Sequence, residues 1–261
     1  MSLIDDLIEG GWLKDDRIIS AFTKIKRVDF MTPGMEDLSQ LNEALPIGYG
    51  QTISQPLVVA FMIELLEPKE GEKILDVGSG SGWTTALLAE LVGERGKVVA
   101  VEIIPELKTF GENNVGKYDF IKRGIAQFIC GDGSKGCEKQ APFDKILASA
   151  SIQSSSRSEE WRRTNVLRAP ERSEGERRTN VLRAVKNEIP NPGKEDKSSS
   201  SPFAGAREGK EIPPAWKDQL KIGGRIVAPI DSSIWLFIKK SETEFEKTEY
   251  PGFVFVPFVE K

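Results

Sequence analysis

The stretch Ile74-Leu75-Asp76-Val77-Gly78-Ser79-Gly80-Ser81-Gly82-Trp83 narrows the possible folds of this chain more than any other. A short apolar run over 73–77 enters three glycines at alternate positions, and an apolar helical pattern over 83–92 follows at once. Glycines let the backbone turn sharply and let a ligand approach without a Cβ in the way. The helix that follows opens with N–H groups that have no intrahelical partner. The same strand–helix rhythm then repeats. Strands are expected at 97–101, 127–130, 145–150, 224–230 and 234–239, helices at 106–118 and 214–220, and a β-like tail at 252–259. Upstream, 3–30 reads as amphipathic helices broken at Gly10-Gly11, 31–54 as loop, and 56–66 as an apolar helix stopped before Pro68. Strands alternating with helices predict an α/β fold, Rossmann-like, with a mostly parallel sheet covered by helices on both faces.

The glycine loop also points to a ligand. The dinucleotide fingerprint is G-x-G-x-x-G. Here Gly78 and Gly80 fit, but Gly82 comes one position early and Trp83 stands in the third place. Asp76 ahead of the glycines suits a cationic or amino-acid-bearing ligand better than a pyrophosphate. Acid-x-Gly-x-Gly-x-Gly is the pattern of S-adenosyl-L-methionine binding. A purely structural glycine turn is the alternative. Glu102 ends the second strand, twenty residues after Gly82, where a carboxylate can accept from both ribose hydroxyls; the plain alternative is an exposed strand-end acid. Asp132, in Gly131-Asp132-Gly133, could accept from an adenine amino group or simply form a turn.

Composition removes whole classes of chemistry. The chain of 261 residues holds no histidine, which excludes Ser-His-Asp and Cys-His nucleophile systems and HExxH metal sites. Cys130 and Cys137 cannot make a structural zinc site without histidine partners. They read as reduced thiols of a cytoplasmic protein, with a disulfide between them as the alternative. No metal is expected. A net charge of −4 argues against a general nucleic-acid partner. No run of 18 apolar residues is present, so no membrane span is expected, and the acidic start lacks a signal-peptide core.

Residues 154–210 break the rhythm. Arg162–Ala169 recurs nearly verbatim at 177–184, offset by 15 residues, between two serine runs. The segment carries 13 basic and 9 acidic residues, which makes it +4 and the rest of the chain −8. Two polar copies are too few for a solenoid. The segment reads as a flexible insertion that leaves the sheet after the fourth strand, at the carboxyl-end face. The expected organisation is 1–70 for N-terminal helices and a substrate loop, 71–153 for the cofactor-binding half, 154–210 for the insertion, and 211–261 for the strands that complete the sheet.

These residues resemble the protein-L-isoaspartate O-methyltransferase family, and the likeness extends beyond the glycine loop. Arg27-Val28-Asp29-Phe30 resembles its R-x-x-F segment. Leu45-Pro46-Ile47-Gly48-Tyr49-Gly50-Gln51-Thr52-Ile53-Ser54-Gln55-Pro56 resembles its substrate loop. Gly131-Asp132-Gly133-Ser134-Lys135-Gly136, Ala141-Pro142-Phe143-Asp144 and Gln219-Leu220-Lys221-Ile222-Gly223-Gly224-Arg225 are similar to three further blocks. The 154–210 insertion is the main departure. The resemblance implies a class I S-adenosyl-L-methionine-dependent methyltransferase fold. It also implies methylation of the α-carboxylate of L-isoaspartyl residues in damaged proteins and peptides, after which the ester closes to a succinimide. By position, Ser54 falls where the family has its active-site serine. Pro46, Ile47 and Gly48 would meet the substrate through backbone. Asp76, Gly78, Ser79, Gly80, Gly82 and Glu102 would hold the cofactor, with Asp132 and Gly133 near the adenine. Nothing in the residues fixes the oligomeric state, and a monomer is the default. Two other readings stay open here, a methyltransferase for RNA or a small molecule and a cofactor-binding relative without activity.

Overall fold

A computed structural model of the protein describes residues 2–150 and 211–253. The expectations for the 154–210 insertion and for 254–259 lie outside the described residues. Helix α1, Leu3–Glu9, starts at a capping box: the Asp5 N–H donates to Ser2 Oγ while the Ser2 N–H donates to the Asp5 carboxylate at 2.9 Å. Helix α2, Asp16–Lys24, starts at the Asp15 side chain, and a 3-10 turn, Arg27–Phe30, follows it.

The 31–54 stretch, expected to be loop from its glycines and prolines, is not all loop. It holds a 3-10 turn at Glu36–Leu38 and a two-stranded hairpin, β1 Leu45–Gly48 and β2 Gln51–Ile53. The glycines that read as loop punctuation form the hairpin tip, where Gly48, Tyr49 and Gly50 all have positive φ. Pro46 lies in a strand with a single partner, where a missing N–H is tolerated. Helix α3, Pro56–Leu66, is buried except at Glu64 and Leu65 and packs on the strands beneath it.

The main sheet has seven strands: β3 Lys73–Val77, β4 Lys97–Glu102, β5 Ala126–Cys130, β6 Phe143–Ala148, β7 Leu220–Ile230, β8 Ser233–Lys239 and β9 Phe245–Pro251. Their order is β5-β4-β3-β6-β7-β8-β9. The pairs from β5 across to β7 are parallel, and β8 and β9 are antiparallel. Helices α4 Trp83–Val92, α5 Pro105–Gly116 and α6 Pro214–Gln219 connect or flank these strands. The expected α/β, mostly parallel architecture is therefore present.

Alternation along the strands divides the core in two. Ile74, Val98 and Ala100 face one cluster with the N-terminal helices and α4 and α5. Leu75, Val77, Val99 and Val101 face the other, with Ile212, Trp216 and Leu220. Both faces are covered, so the inner strands read as unbroken apolar runs. The chain moves outward from β3 to β4 and β5, then returns to the far side of β3 as β6. That reversal creates a crevice beyond the carboxyl ends of the strands.

Candidate functional site

A cleft partly open to solvent occupies that crevice. The glycine loop from Gly78 to Ser81 with the first residues of α4 forms its floor, and Val101–Ile104, Gly133, Ser149 and Ala150 close its sides. The hairpin supplies the remaining wall through Gln51, Thr52, Ile53 and Ser54.

Of the sequence-predicted residues, Gly78, Ser79, Gly80, Glu102, Gly133 and Ser54 line this cleft together. Gly78, Gly80 and Gly82 have φ of 76°, 49° and 84°, so the loop threads the left-handed region three times. Gly82 lies beneath the cleft rather than in it. A Cβ there would fall 2.7 Å from the Gly111 carbonyl oxygen and 2.9 Å from Val115 Cγ2. Its role in this geometry is to let α5 press against the loop.

The Glu102 carboxylate is buried and shaped by backbone donors. The Gly80 N–H donates to Oε2 at 2.9 Å and the Ile104 N–H donates to Oε1 at 3.1 Å. These bonds fix the carboxylate against the glycine loop and leave lone pairs for hydroxyl donors in the cleft.

Asp76 does not line the cleft. It lies fully buried behind the loop, where Thr85 Oγ1 donates to Oδ2 at 2.6 Å and Oδ1 has no partner among the described residues. Burial raises its pKa to about 7, opposed by the Thr85 bond and helped by the nearby Glu102 charge. The folded state then holds this proton more tightly than the unfolded chain, whose carboxyl titrates near 3.8. The stability it contributes is complete at low pH and is lost as pH rises toward 7. Asp76→Asn is therefore expected to flatten the fall in the urea midpoint between pH 5 and pH 8. Parallel slopes in the two proteins would remove Asp76 as the cause.

Asp132 is also outside the cleft. Its Oδ1 accepts from the Ser134 N–H at 3.0 Å and the Ser134 hydroxyl at 2.7 Å, and Lys135 Nζ lies 3.5 Å from Oδ2. Burial tends to raise its pKa, but the Ser134 bonds and Lys135 outweigh this and lower it. The turn-forming alternative describes what this side chain does in the structure, and Gly133 carries the wall.

Pro46 and Gly48 are exposed, and Ile47 is buried with its Cδ1 3.4 Å from where a Cβ on Gly80 would be. None of the three lines the cleft, but Ile47 seats the hairpin on the glycine loop. Ser54 is half-buried at the end of this segment, and its hydroxyl makes no hydrogen bond to a described residue. Ser54 does not cap α3, whose N-cap is Gln55.

Several residues of the site had no motif to reveal them. Asn114 Nδ2 donates to the Ser81 carbonyl at 3.0 Å. Gly111 brings α5 close to Gly80, whose carbonyl oxygen would lie 2.7 Å from a Cβ there. A glycine and a polar residue inside an otherwise helical pattern were the available signals.

The lining chemistry tests which ligand fits. Among the described residues that line the cleft, Glu102 is the one charged side chain. No lysine or arginine meets a pyrophosphate there. Ser79 Oγ and Trp83 Nε1 are buried without partners among the described residues, as is Asp76 Oδ1 nearby. Unpaired buried polar atoms around an acidic, otherwise neutral cleft suit a cationic ligand with hydroxyl groups, such as S-adenosyl-L-methionine.

Comparison with known proteins follows the same line. The profile of the protein-L-isoaspartate(D-aspartate) O-methyltransferase family matches residues 1–157 and 201–261. The unmatched 158–200 falls within the segment that the sequence sets apart. A protein-L-isoaspartate O-methyltransferase of Methanopyrus kandleri is 31% identical over 261 residues, covering 98% of this chain and 89% of that protein. One of Aeropyrum pernix is 42% identical over 150 residues, covering 58% of this chain and 57% of its own length. Among solved structures, a Plasmodium falciparum protein described as a protein-L-isoaspartate O-methyltransferase, in complex with S-adenosyl-L-homocysteine, superposes with a TM-score of 0.69. It is 18% identical, and the overlap covers 99% of this chain and 97% of that one. A second structure of a protein-L-isoaspartate O-methyltransferase gives a TM-score of 0.69 at 22% identity, over 98% of this chain and 64% of that one. The fold is that of the class I S-adenosyl-L-methionine-dependent methyltransferases.

Proposed function

The chain belongs to the protein-L-isoaspartate(D-aspartate) O-methyltransferase family, and from that premise we propose that it methylates the α-carboxylate of L-isoaspartyl residues in damaged proteins and peptides. The observation that carries this reading is the meeting of Ser54 and the glycine loop on one cleft. Two segments 24 positions apart in the chain, at Ser54 and Gly78, converge where an acceptor and a methyl donor must meet.

S-adenosyl-L-methionine supplies a methyl group on a sulfonium, which leaves as a neutral thioether. In our assignment Glu102 would receive the ribose hydroxyls, and Ser79 and the backbone of Gly78 and Gly80 would line the rest of the cofactor's path. Gly133 would border the adenine, and Asp76 lies buried behind the loop.

The acceptor needs little chemistry from the protein. A carboxylate is already ionised at neutral pH, with a pKa of about 4. It requires no general base, which accounts for a site without histidine. The protein's task is to hold one carboxylate oxygen in line with the bond that breaks, at a near-attack distance of roughly 3–3.5 Å. Ser54 carries a hydroxyl with no other described partner, so it is available to orient that carboxylate. A neutral donor positions the nucleophile without quenching its charge, as an arginine would. Among the described residues that line the cleft none is cationic, so nothing in that lining favours a phosphate backbone.

No helix among the described residues is long and apolar enough to cross a membrane. We propose that the substrates are proteins met in the cytoplasm and that the enzyme acts as a monomer.

Ser54→Ala is expected to slow methylation of an isoaspartyl peptide about tenfold, the cost of one positioning hydrogen bond. Cofactor affinity by calorimetry is expected to change less than threefold. A variant with full activity would show that Ser54 is a wall residue, and transfer to tRNA in preference to the peptide would overturn the acceptor assignment.

A further inference from the structure

The 3-10 turn Arg27–Phe30 is tied in two directions. Arg27 is buried, with 6% of its surface exposed. Its guanidinium is not bonded to a described carboxylate but to a set of backbone carbonyls. Nη1 donates to the carbonyl of Leu41 at 2.9 Å and reaches that of Ser39 at 3.4 Å. Nη2 donates to the carbonyl of Glu43 at 2.6 Å and to that of Ser54 at 3.3 Å. The guanidinium carbon lies 5.5 Å from the centre of the Trp83 ring, the first residue of α4 and part of the cleft. Burial lowers its pKa to about 10, with the Glu43 charge opposing, so it stays charged at neutral pH.

In the other direction the turn is fastened to α5 and the residues just after it. The Tyr118 hydroxyl donates to Asp29 Oδ2 at 2.5 Å, and Lys117 Nζ donates to the Asp29 carbonyl at 2.5 Å. Lys117 Nζ also donates to Asn114 Oδ1 at 2.9 Å, and Asn114 in turn holds the Ser81 carbonyl of the glycine loop. Phe30 stacks on Tyr118 with ring centres 5.8 Å apart. One four-residue turn thus holds the acceptor-side segment with one hand and the glycine loop with the other.

We propose that this turn is the positioning bracket of the methyl-transfer site, and that Arg27, which does not line the cleft, sets the placement of Ser54 relative to the glycine loop. The physical need is plain. Residues 39–54 contain only a short hairpin, so several carbonyls there have no ladder partner. A planar fork with five donors can gather carbonyls from four residues while its carbon stays 5.5 Å from the centre of an indole. A lysine carries the same charge as a point and cannot span them.

This inference rests on the proposed reaction, so its test separates the two. Arg27→Lys and Arg27→Gln would be compared with the unaltered chain by three measurements. These are turnover on a short isoaspartyl peptide, cofactor affinity by calorimetry, and amide hydrogen exchange. The expected result for Arg27→Lys is a turnover number about tenfold lower with cofactor affinity within threefold. Amides of 39–54 are expected to exchange at least tenfold faster, while those of β3, β4 and β6 stay protected. Unchanged turnover, or a loss of turnover matched by an equal loss of cofactor affinity, would overturn the proposal. So would two variants that both fail to fold, since Arg27 would then be a folding determinant and not a positioning residue. If the unaltered chain itself failed to methylate the peptide, the function would be wrong, and the exchange pattern would still report whether the bracket exists.

Discussion

Gly82→Val is expected to abolish saturable S-adenosyl-L-methionine binding and to lower stability by about 4 kcal/mol. The residue occupies the left-handed region at φ 84°, which costs a non-glycine residue roughly 1–2 kcal/mol and is worse for a β-branched one. Overpacking adds about 1–3 kcal/mol. The obstacle at 2.7 Å is the Gly111 backbone oxygen, which cannot swing aside as a flexible side chain could. Moving α5 outward would also pull Asn114 from the Ser81 carbonyl and open the glycine loop. Thermal unfolding should fall by roughly 8–16 °C for a domain of this size. Gly116, at the end of the same helix, has nothing within 4 Å of an added Cβ, so Gly116→Ala serves as the control and should stay within about 1 kcal/mol. A Gly82→Val protein that still binds cofactor would show that the loop does not depend on the close approach of α5.

The second large effect concerns Glu102. Glu102→Ala removes the acceptor for the Gly80 and Ile104 N–H groups and the proposed acceptor for the ribose. Hydrogen bonds to a charged group contribute about 1.5–3 kcal/mol each. Cofactor affinity is expected to fall on the order of a hundredfold, which corresponds to about 3 kcal/mol. Glu102→Gln keeps one acceptor oxygen and should fall between the two. Calorimetry is the measurement. Affinity within threefold of the unaltered chain in Glu102→Ala would place the ribose elsewhere.

Both effects come from a part of the molecule that the sequence makes legible. The strand entering Gly78, the helix at Trp83–Val92 and the acid at Glu102 are contiguous or nearly so, and each follows from local chemistry. Inner strands announced themselves because burial on both faces demands unbroken apolar runs. Strand β9 did not. Phe245–Pro251 is exposed or half-buried along its length and rich in charge, so no period of two stood out. The expected β-like segment at 252–259 begins where β9 has ended. Strand β7 starts before the expected 224, at Leu220, because its first residues pass through an irregularity in register opposite Phe143 and Lys145.

The site divides in the same way. Residues that touch the cleft through short loops were readable from their types and spacing. Residues that act by packing across long chain distances were not. Asp76 and Thr85 are nine positions apart, but Arg27 meets Trp83, and Lys117 meets Asp29, only because the folded chain brings them together. The motif predicts Gly82 as a cofactor contact; its positive φ and the nearness of Gly111 add a packing role beneath the loop. The motif likewise predicts Asp132 near the adenine; in the structure its Oδ1 accepts from Ser134.

The most direct measurement is methyl transfer itself. The full chain would be incubated with methyl-labelled S-adenosyl-L-methionine and a peptide containing one L-isoaspartyl residue, beside the same peptide with L-aspartate at that position. The account predicts label in the isoaspartyl peptide alone, held as a base-labile ester and released as volatile methanol at alkaline pH. Equal labelling of the two peptides, base-stable label, or no label despite measurable cofactor binding would contradict it.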